Sequence, residues 1–349
     1  MTAPSLPVPI SSSVATTVKL EFDDNKLLIQ LFGSHHAHLA CIEQALDVSL
    51  NARGNILTVA GDGSDVNVVR AVLDGLYRRL KDGMTVGHDD VDAALRMTGQ
   101  DGAGVIRDGS SDADPIIRTR KRHISPRSPT QATYTQAIDE ANLVFGLGPA
   151  GTGKTYLAVA KAVEKLVGGE VDRIILSRPA VEAGEQLGFL PGDMREKVDP
   201  YMRPIYDALH DMLPNQQVIK RLESGEIEVA PLAFMRGRTL SNAFVILDEA
   251  QNSTAVQMKM FLTRLGENSR MVITGDLSQV DLPRGTRSGL RDAVDILEGN
   301  DAIVMVRFTD RDVVRHPLVS QIVRAYEAVE SQRGTGASYE KDGAKTPGI

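Results

Sequence analysis

Three short stretches of this chain combine residue types that handle phosphate. The first is Gly148-Pro149-Ala150-Gly151-Thr152-Gly153-Lys154-Thr155, which begins where the apolar run 143–147 ends. Its glycines let the backbone curl so that successive N–H groups face one point, and a helix starting at the lysine adds its positive dipole end. The spacing is G-x-x-x-x-G-K-[ST], and a strand before it and a helix after it are the context that confirms the pattern. Lys154 is expected to reach the β- and γ-phosphates of a nucleoside triphosphate, and the Thr155 hydroxyl to ligate Mg²⁺. The second stretch is the apolar run 244–247 ending in Asp248-Glu249. A strand that ends in carboxylates places them at the C-terminal edge of a parallel sheet, beside such a loop. Asp248 is expected to order the magnesium, through water, and Glu249 to polarise the attacking water. The plain alternative is an acidic helix cap. The third is Gly275-Asp276-Leu277-Ser278-Gln279, again at a strand exit. Gln279 is placed to touch a γ-phosphate or its attacking water, unless this is an ordinary polar loop.

Holding three such exits together calls for a sheet. Strand-like apolar runs recur at 143–147, 174–176, 227–229, 244–247, 271–274 and 302–306. Helical periodicity separates most of them, at 156–167, 200–213, 255–265 and 313–330. Near-continuous apolar strands alternating with helices predict an α/β domain over 129–331, its parallel sheet covered on both faces. Residues 18–98 predict a separate, small α+β domain. It has strand material at 19–22 and 27–32, a helix at 36–46, strands at 48–50 and 56–59, and helices at 66–80 and 89–97. Residues 99–128 are Gly/Asp/Ser-rich and then sharply basic from 118. They read as a flexible linker, either solvated or an arm that grips phosphates. Residues 1–17 and 332–349 are polar or Pro/Ser-rich and are expected to be disordered.

The 349 residues suffice for about two domains with linkers. A net charge of −7 gives no overall attraction to a phosphate backbone, so any nucleic-acid contact must come from a local basic patch. Aromatics at 4% with no Trp argue against a broad base-stacking surface. One cysteine, Cys41, excludes an internal disulfide and a cysteine-built zinc cage, and fits a reducing compartment. No apolar run approaches the roughly 18–20 residues of a membrane span, and the start of the chain does not read as a secretory signal. The expectation is a cytoplasmic protein with no membrane contact. His35, His36 and His38 crowd together without acidic or cysteine ligands at metal spacing, and read as a helix start.

Five ordered stretches resemble the PhoH-like proteins, P-loop ATPases named for induction under phosphate starvation. They are residues 148–155 (GPAGTGKT), 178–193 (RPAVEAGEQLGFLPGD), 236–252 (RGRTLSNAFVILDEAQN), 274–283 (TGDLSQVDLP) and 312–317 (DVVRHP). The resemblance covers about residues 18–330. It implies an α/β P-loop NTPase fold with a RecA-like, superfamily 1 helicase-like core, and a KH-like N-terminal domain. It implies an ATP hydrolase using ATP and Mg²⁺, in which Gln279 is the γ-phosphate sensor and Gln131 reads adenine. Gln131 could equally be a solvent-facing helix residue. The missing Asn-Lys-x-Asp string speaks for adenine over guanine. Arg178 and the 182–193 loop stand where helicase-like proteins touch nucleic acid, so Arg178 is expected to meet RNA or a neighbouring subunit. Glu182 and Glu185 could as well be a solvated face.

The family further implies a role in RNA metabolism or ribosomal RNA processing, with the endoribonuclease YbeY as partner. No region here fits a fused nuclease domain. A KH fold clamps RNA with a G-x-x-G loop. Here that loop is Gly33-Ser34-His35-His36, without the second glycine, so packing or partner docking is as open as RNA. Residues 129–331 hold one core domain, whereas a monomeric helicase closes two around ATP and draws an arginine from the second. A homo-oligomeric ring, expected as a hexamer, would supply it from a neighbour. Arg311 and Arg315 are the candidates, with Arg236 and Arg238 behind them. The alternative is that these arginines pair locally, with carboxylates such as Asp310 and Asp312. Two other functions stay open: a phosphotransferase with 184–213 as its lid, and a slow nucleotide-dependent switch that docks partners.

Overall fold

A computed structural model describes residues 15–99, 116–179, 194–283, 285–314 and 322. The first unit runs β1 (Ala15–Glu21), α1 (Asn25–Phe32), α2 (Ala37–Ala45), β2 (Val48–Arg53), β3 (Ile56–Asp62), α3 (Gly63–Lys81) and α4 (His88–Gly99). Its strands pair antiparallel in the order β1-β3-β2. The helices bury Leu31, Ile42, Val69 and Leu73 against Leu57 and Val59 of the central strand.

Residues 27–32, expected as a strand, are helical. Asp24 caps α1 by accepting the Lys26 N–H at 2.8 Å, and Leu28, Leu31 and Phe32 fall on one buried side. With Gln30 as the one polar residue in 27–32, the sequence hid that period. Between α1 and α2, the residues standing in the G-x-x-G position make a tight turn. His35 and His36 there have φ of 54° and 63°, the left-handed region that a glycine enters most freely. His36, the fourth residue of this turn, thus holds a backbone conformation that glycine enters more freely. His38 is buried, with Nδ1 3.0 Å from the Leu31 carbonyl, a packing role in line with a helix start.

The basic stretch expected as a linker is folded from residue 116 onward. Ile117 and Ile124 pair across a short hairpin, β4 (Ile117–Arg118) with β5 (His123–Ile124), and both are buried in the core of the second unit. Arg122 pairs with Asp211 at 3.0 Å, and Lys121 Nζ donates to the His210 carbonyl at 2.8 Å. The two apolar anchors bracket the charges, and Lys121 and Arg122 bind protein rather than float.

The second unit continues α5 (Pro129–Glu140), β6 (Leu143–Leu147), α6 (Lys154–Gly168), β7 (Arg173–Arg178), α7 (Met194–Met212), α8 (Asn215–Ser224) and β8 (Ile227–Pro231). It ends with β9 (Ala243–Leu247), α9 (Ala255–Leu262), β10 (Arg270–Gly275), α10 (Gly289–Leu297) and β11 (Ile303–Arg307). The sheet order is β11-β6-β10-β9-β7-β8 and every pair is parallel. Alternate residues serve opposite cores, which is why the strands read as continuous apolar runs. Val144, Ile174 and Phe244 pack with α5 to α8, whereas Phe145, Ile175 and Val245 pack with α9 and α10. The helix expected over 313–330 and the 182–193 loop lie outside the described residues, apart from 313, 314 and 322.

Candidate nucleotide-binding site

Strand β6 delivers the chain to the phosphate loop and α6 carries it away. Gly153 sits at the start of α6 with φ 83°, a conformation that turns the loop into the helix. Gly148 is pinned from outside: a Cβ there would lie 2.5 Å from the Phe308 carbonyl oxygen, just beyond β11. Lys154 is buried, and its Nζ donates to the carbonyls of Gly148 and Pro149 at 2.7 Å each. The ammonium thus fills the loop using neutral acceptors, which a phosphate anion can replace with stronger charge-assisted bonds. Thr152 is buried and its hydroxyl donates to the Pro149 carbonyl at 2.9 Å, holding the loop's shape.

Gln131 lies beneath this loop and is buried. Its Nε2 donates to the Thr152 carbonyl at 2.9 Å and its Oε1 accepts the Arg127 N–H at 2.6 Å. As placed it braces the loop, and contact with a base would require exchange of those bonds.

The strand order sets how the acidic pair meets the loop. Strand β10 stands between β6 and β9, so Asp248 reaches Thr155 across one intervening strand. Thr155 Oγ1 donates to Asp248 Oδ1 at 2.6 Å, and Thr274, on that intervening strand, donates to the same oxygen at 2.7 Å. Thr274 is fully buried and Asp248 nearly so. A hydroxyl and a carboxylate in contact at the mouth of the loop are the oxygen ligands and water-holders that Mg²⁺ prefers. The donor set therefore fits a magnesium–nucleotide complex.

Glu249 occupies the left-handed region, with φ 52° and ψ 39°. Such backbone strain costs about 1–3 kcal/mol and concentrates at functional sites. Gln251 holds the strained side chain: its Nε2 donates to Glu249 Oε2 at 2.5 Å, while its Oε1 accepts the Asp276 N–H at 3.0 Å. One amide thus ties the exit of β9 to that of β10. Asp276 is buried; its Oδ1 accepts from Ser278, and its Oδ2 has no partner among the described residues. Gln279 is exposed at the rim.

These groups line one cavity of about 670 Å³, with Lys154, Thr155, Asp248, Glu249, Asp276 and Gln279 on its walls. Its far wall is α7, through Pro204, Asp207, Ala208 and Asp211. Arg178, at the end of β7, also lines it, with Nη1 3.9 Å from Asp248 Oδ2 and Nη2 3.6 Å from Glu249 Oε1. Thr274, Gln251 and the α7 carboxylates were not singled out from sequence. Only the order of the strands and the path of α7 bring them here.

The candidate donated arginines separate. Arg238 is held by both oxygens of Glu228 at 2.7 Å each. Arg236 and Arg311 are exposed, and Arg315 lies outside the described residues. Asp312, considered as a local partner, is buried and accepts from the Ser128 hydroxyl at 2.7 Å and the Thr309 N–H at 2.8 Å. The Val314 N–H donates to the Gly151 carbonyl at 3.0 Å, so this segment rests on the phosphate loop. Away from the cavity, Cys41, His88 and Asp92 each bring one ligand atom within 4.8 Å of the others. The Cys41 thiol donates to Asp92 at 3.1 Å.

A six-stranded parallel sheet with the loop on β6, the acidic pair on β9 and a polar exit on the strand between them defines an α/β P-loop NTPase. The chain belongs to the PhoH-like protein family, whose profile matches residues 123–327. It is 50% identical over 313 residues to the PhoH-like protein of Mycobacterium tuberculosis, covering 89% of this chain and 87% of that one. It is 48% identical over 315 residues to the PhoH-like protein of Bacillus subtilis, covering 90% and 98%. The crystal structure of Pif1 helicase from Candida albicans aligns with 52% of this chain and 39% of that one at 12% identity, with a TM-score of 0.25, too loose a likeness to add to the assignment. Among the described residues no helix is long and apolar enough to cross a membrane.

Proposed function

We propose that this chain is a Mg²⁺-dependent ATPase that acts in RNA metabolism in the cytoplasm as a ring oligomer. The observation that carries the hydrolytic part is the bond of 2.6 Å from Thr155 to Asp248, with Glu249 directly following. On ATP binding, Lys154 leaves the loop carbonyls for the β- and γ-phosphates, and the loop N–H groups cradle them. Magnesium, when bound, supplies a positive charge that draws electron density from the phosphate oxygens. Thr155 and Asp248 would hold it and its waters. Glu249, kept in place by Gln251, accepts the proton of the attacking water, while Gln279 senses the γ-phosphate from the rim.

The RNA and ring parts rest on other supports. The N-terminal unit has the β-α-α-β-β-α order of a KH-like domain, and a tight left-handed turn at the clamp position. The exposed Arg236 and Arg311 support a ring in which a neighbour completes the site. A partner endoribonuclease such as YbeY would do any cutting. Gln131 takes part in reading adenine once nucleotide loosens its hold on Thr152.

The test is phosphate release from Mg·ATP with and without RNA, in wild type and Lys154→Ala. Release that RNA stimulates and Lys154→Ala abolishes supports the reading. Phosphate appearing on an added acceptor makes the chain a phosphotransferase instead. Light scattering that shows only monomer with ATP present removes the ring.

A further inference from the structure

Strand register places an arginine against the acidic pair. Ser177 of β7 pairs with Leu247 of β9, so the residues leaving the two strands side by side are Arg178 and Asp248. The backbone repeats the pairing, because the Asp248 N–H donates to the Ser177 carbonyl at 2.9 Å. The guanidinium then forks between Asp248 at 3.9 Å and Glu249 at 3.6 Å. Both separations exceed hydrogen-bond length, so these two contacts are held by charge and not by fixed geometry. Among the described residues that line the cavity, Lys154 and Arg178 are the cations, facing the carboxylates Asp207, Asp211, Asp248, Glu249 and Asp276.

We propose that Arg178 is a catalytic residue that supplies, from within the same chain, the cation for the transferred γ-phosphoryl group, and that its resting place on Asp248 and Glu249 holds the site closed until nucleotide arrives. This rests on the nucleotide-site reading above. Exchange of carboxylates for γ-phosphate oxygens moves the guanidinium from one set of anions to another, so the charge is never stripped of a partner. The same movement releases Asp248 to the metal's waters and Glu249 to the attacking water. In the step itself the water oxygen bonds the γ-phosphorus, and the bond to the β–γ bridging oxygen breaks with its electron pair staying on ADP. Glu249 takes the water proton, and the planar guanidinium grips γ-oxygens with two parallel N–H bonds. A neighbour's arginine, if a ring forms, then adds to a charge already supplied. Arg178 lies within the cleft wall, so its first duty is to nucleotide and not to RNA.

Calorimetric titration of full-length wild type, Arg178→Ala and Arg178→Lys tests this, with Mg·ADP and with Mg·ADP plus aluminium fluoride. Wild type is expected to bind the fluoride complex more tightly than ADP. Arg178→Ala should keep its ADP affinity within about threefold and lose most of the added affinity, with turnover lower by about 10³-fold, as for other arginines that touch this group. Arg178→Lys keeps the charge without the fork, should recover only a small part, and carries the test if the alanine variant does not fold. Undiminished preference for the fluoride complex in both variants overturns the proposal. Equal weakening of ADP and its fluoride complex overturns it too, since that marks a structural role. A wild type that binds no ADP overturns the site reading, and this proposal with it.

Discussion

Thr274→Val is the sharpest probe of how the sheet positions Asp248, the acid proposed to order the metal. Thr274 is fully buried, and its hydroxyl donates to Asp248 Oδ1 at 2.7 Å; the Leu247 carbonyl, at 3.4 Å, is the poorer acceptor. Valine has the same shape, so the substitution removes one hydrogen bond and leaves packing intact. Asp248 keeps Thr155 on that oxygen but loses the anchor that fixes its direction. A hydrogen bond to a charged acceptor contributes about 1.5–3 kcal/mol. For a protein of this size each kcal/mol moves the melting midpoint by about 2–4 °C, so a fall of roughly 3–12 °C is expected. Loss of a group that orients a metal-site carboxylate weakens metal binding by about 10–100-fold. The assay is a Mg²⁺ titration of nucleotide binding, beside a thermal melt, with Thr274→Ser as the variant that restores the hydroxyl. A Thr274→Val protein with an unchanged melt and unchanged Mg²⁺ requirement refutes the reasoning.

Gly148→Ala places a Cβ 2.5 Å from the Phe308 carbonyl at φ 143°, so the loop must move; a stability loss of about 1–3 kcal/mol in urea melts, with ADP affinity falling alongside, is expected, and an unaltered ADP titration argues against it. Burial, then the neighbouring Asp92, pushes the Cys41 thiol up to about 12. Alkylation of folded protein at pH 8 should therefore run on the order of 10²–10⁴-fold slower than for an ordinary thiol, since only the thiolate reacts; free-peptide rates in the folded state contradict this. Burial pushes the Asp312 carboxyl up, but the Thr309 N–H and the Ser128, Thr130 and Thr309 hydroxyls outweigh it, and the net shift is downward from 3.8. A depressed carboxylate stabilises the fold above its unfolded value, and that stability is lost as pH falls through the folded value. The stability gap between wild type and Asp312→Asn should accordingly be open at neutral pH and close below about pH 4; a gap that stays constant in acid melts counts against it.

What could be read from the residues was whatever is local. The phosphate loop, its flanking strand and helix, and the carboxylates at strand exits are contiguous patterns, and each lies where its pattern places it. The role of Thr274 is written in strand order: β10 lies between β6 and β9, and nothing in a single strand states its neighbours. Gln251 and Arg178 follow from the same geometry, since one spans two strand exits and the other depends on register. The basic residues 118–128 misled by composition, because Ile117 and Ile124 supply the burial while Arg122 pairs with Asp211 and Lys121 donates to the His210 carbonyl on α7. In α1 the run 27–32 is broken by Gln30 alone, too little to show a helical period, and the cap at Asp24 was the mark of a helix.

The central claim is that Asp248-Glu249 and the phosphate loop together hydrolyse ATP. The most direct measurement compares phosphate released from Mg·ATP by wild type and Glu249→Gln, with ATP bound scored in the same samples. The glutamine keeps the shape of the side chain and removes the base. Repeated turnover by wild type, and a variant that retains ATP while releasing phosphate about 10²–10⁴-fold more slowly, is the predicted result. A variant that turns over ATP as fast as wild type would contradict the account.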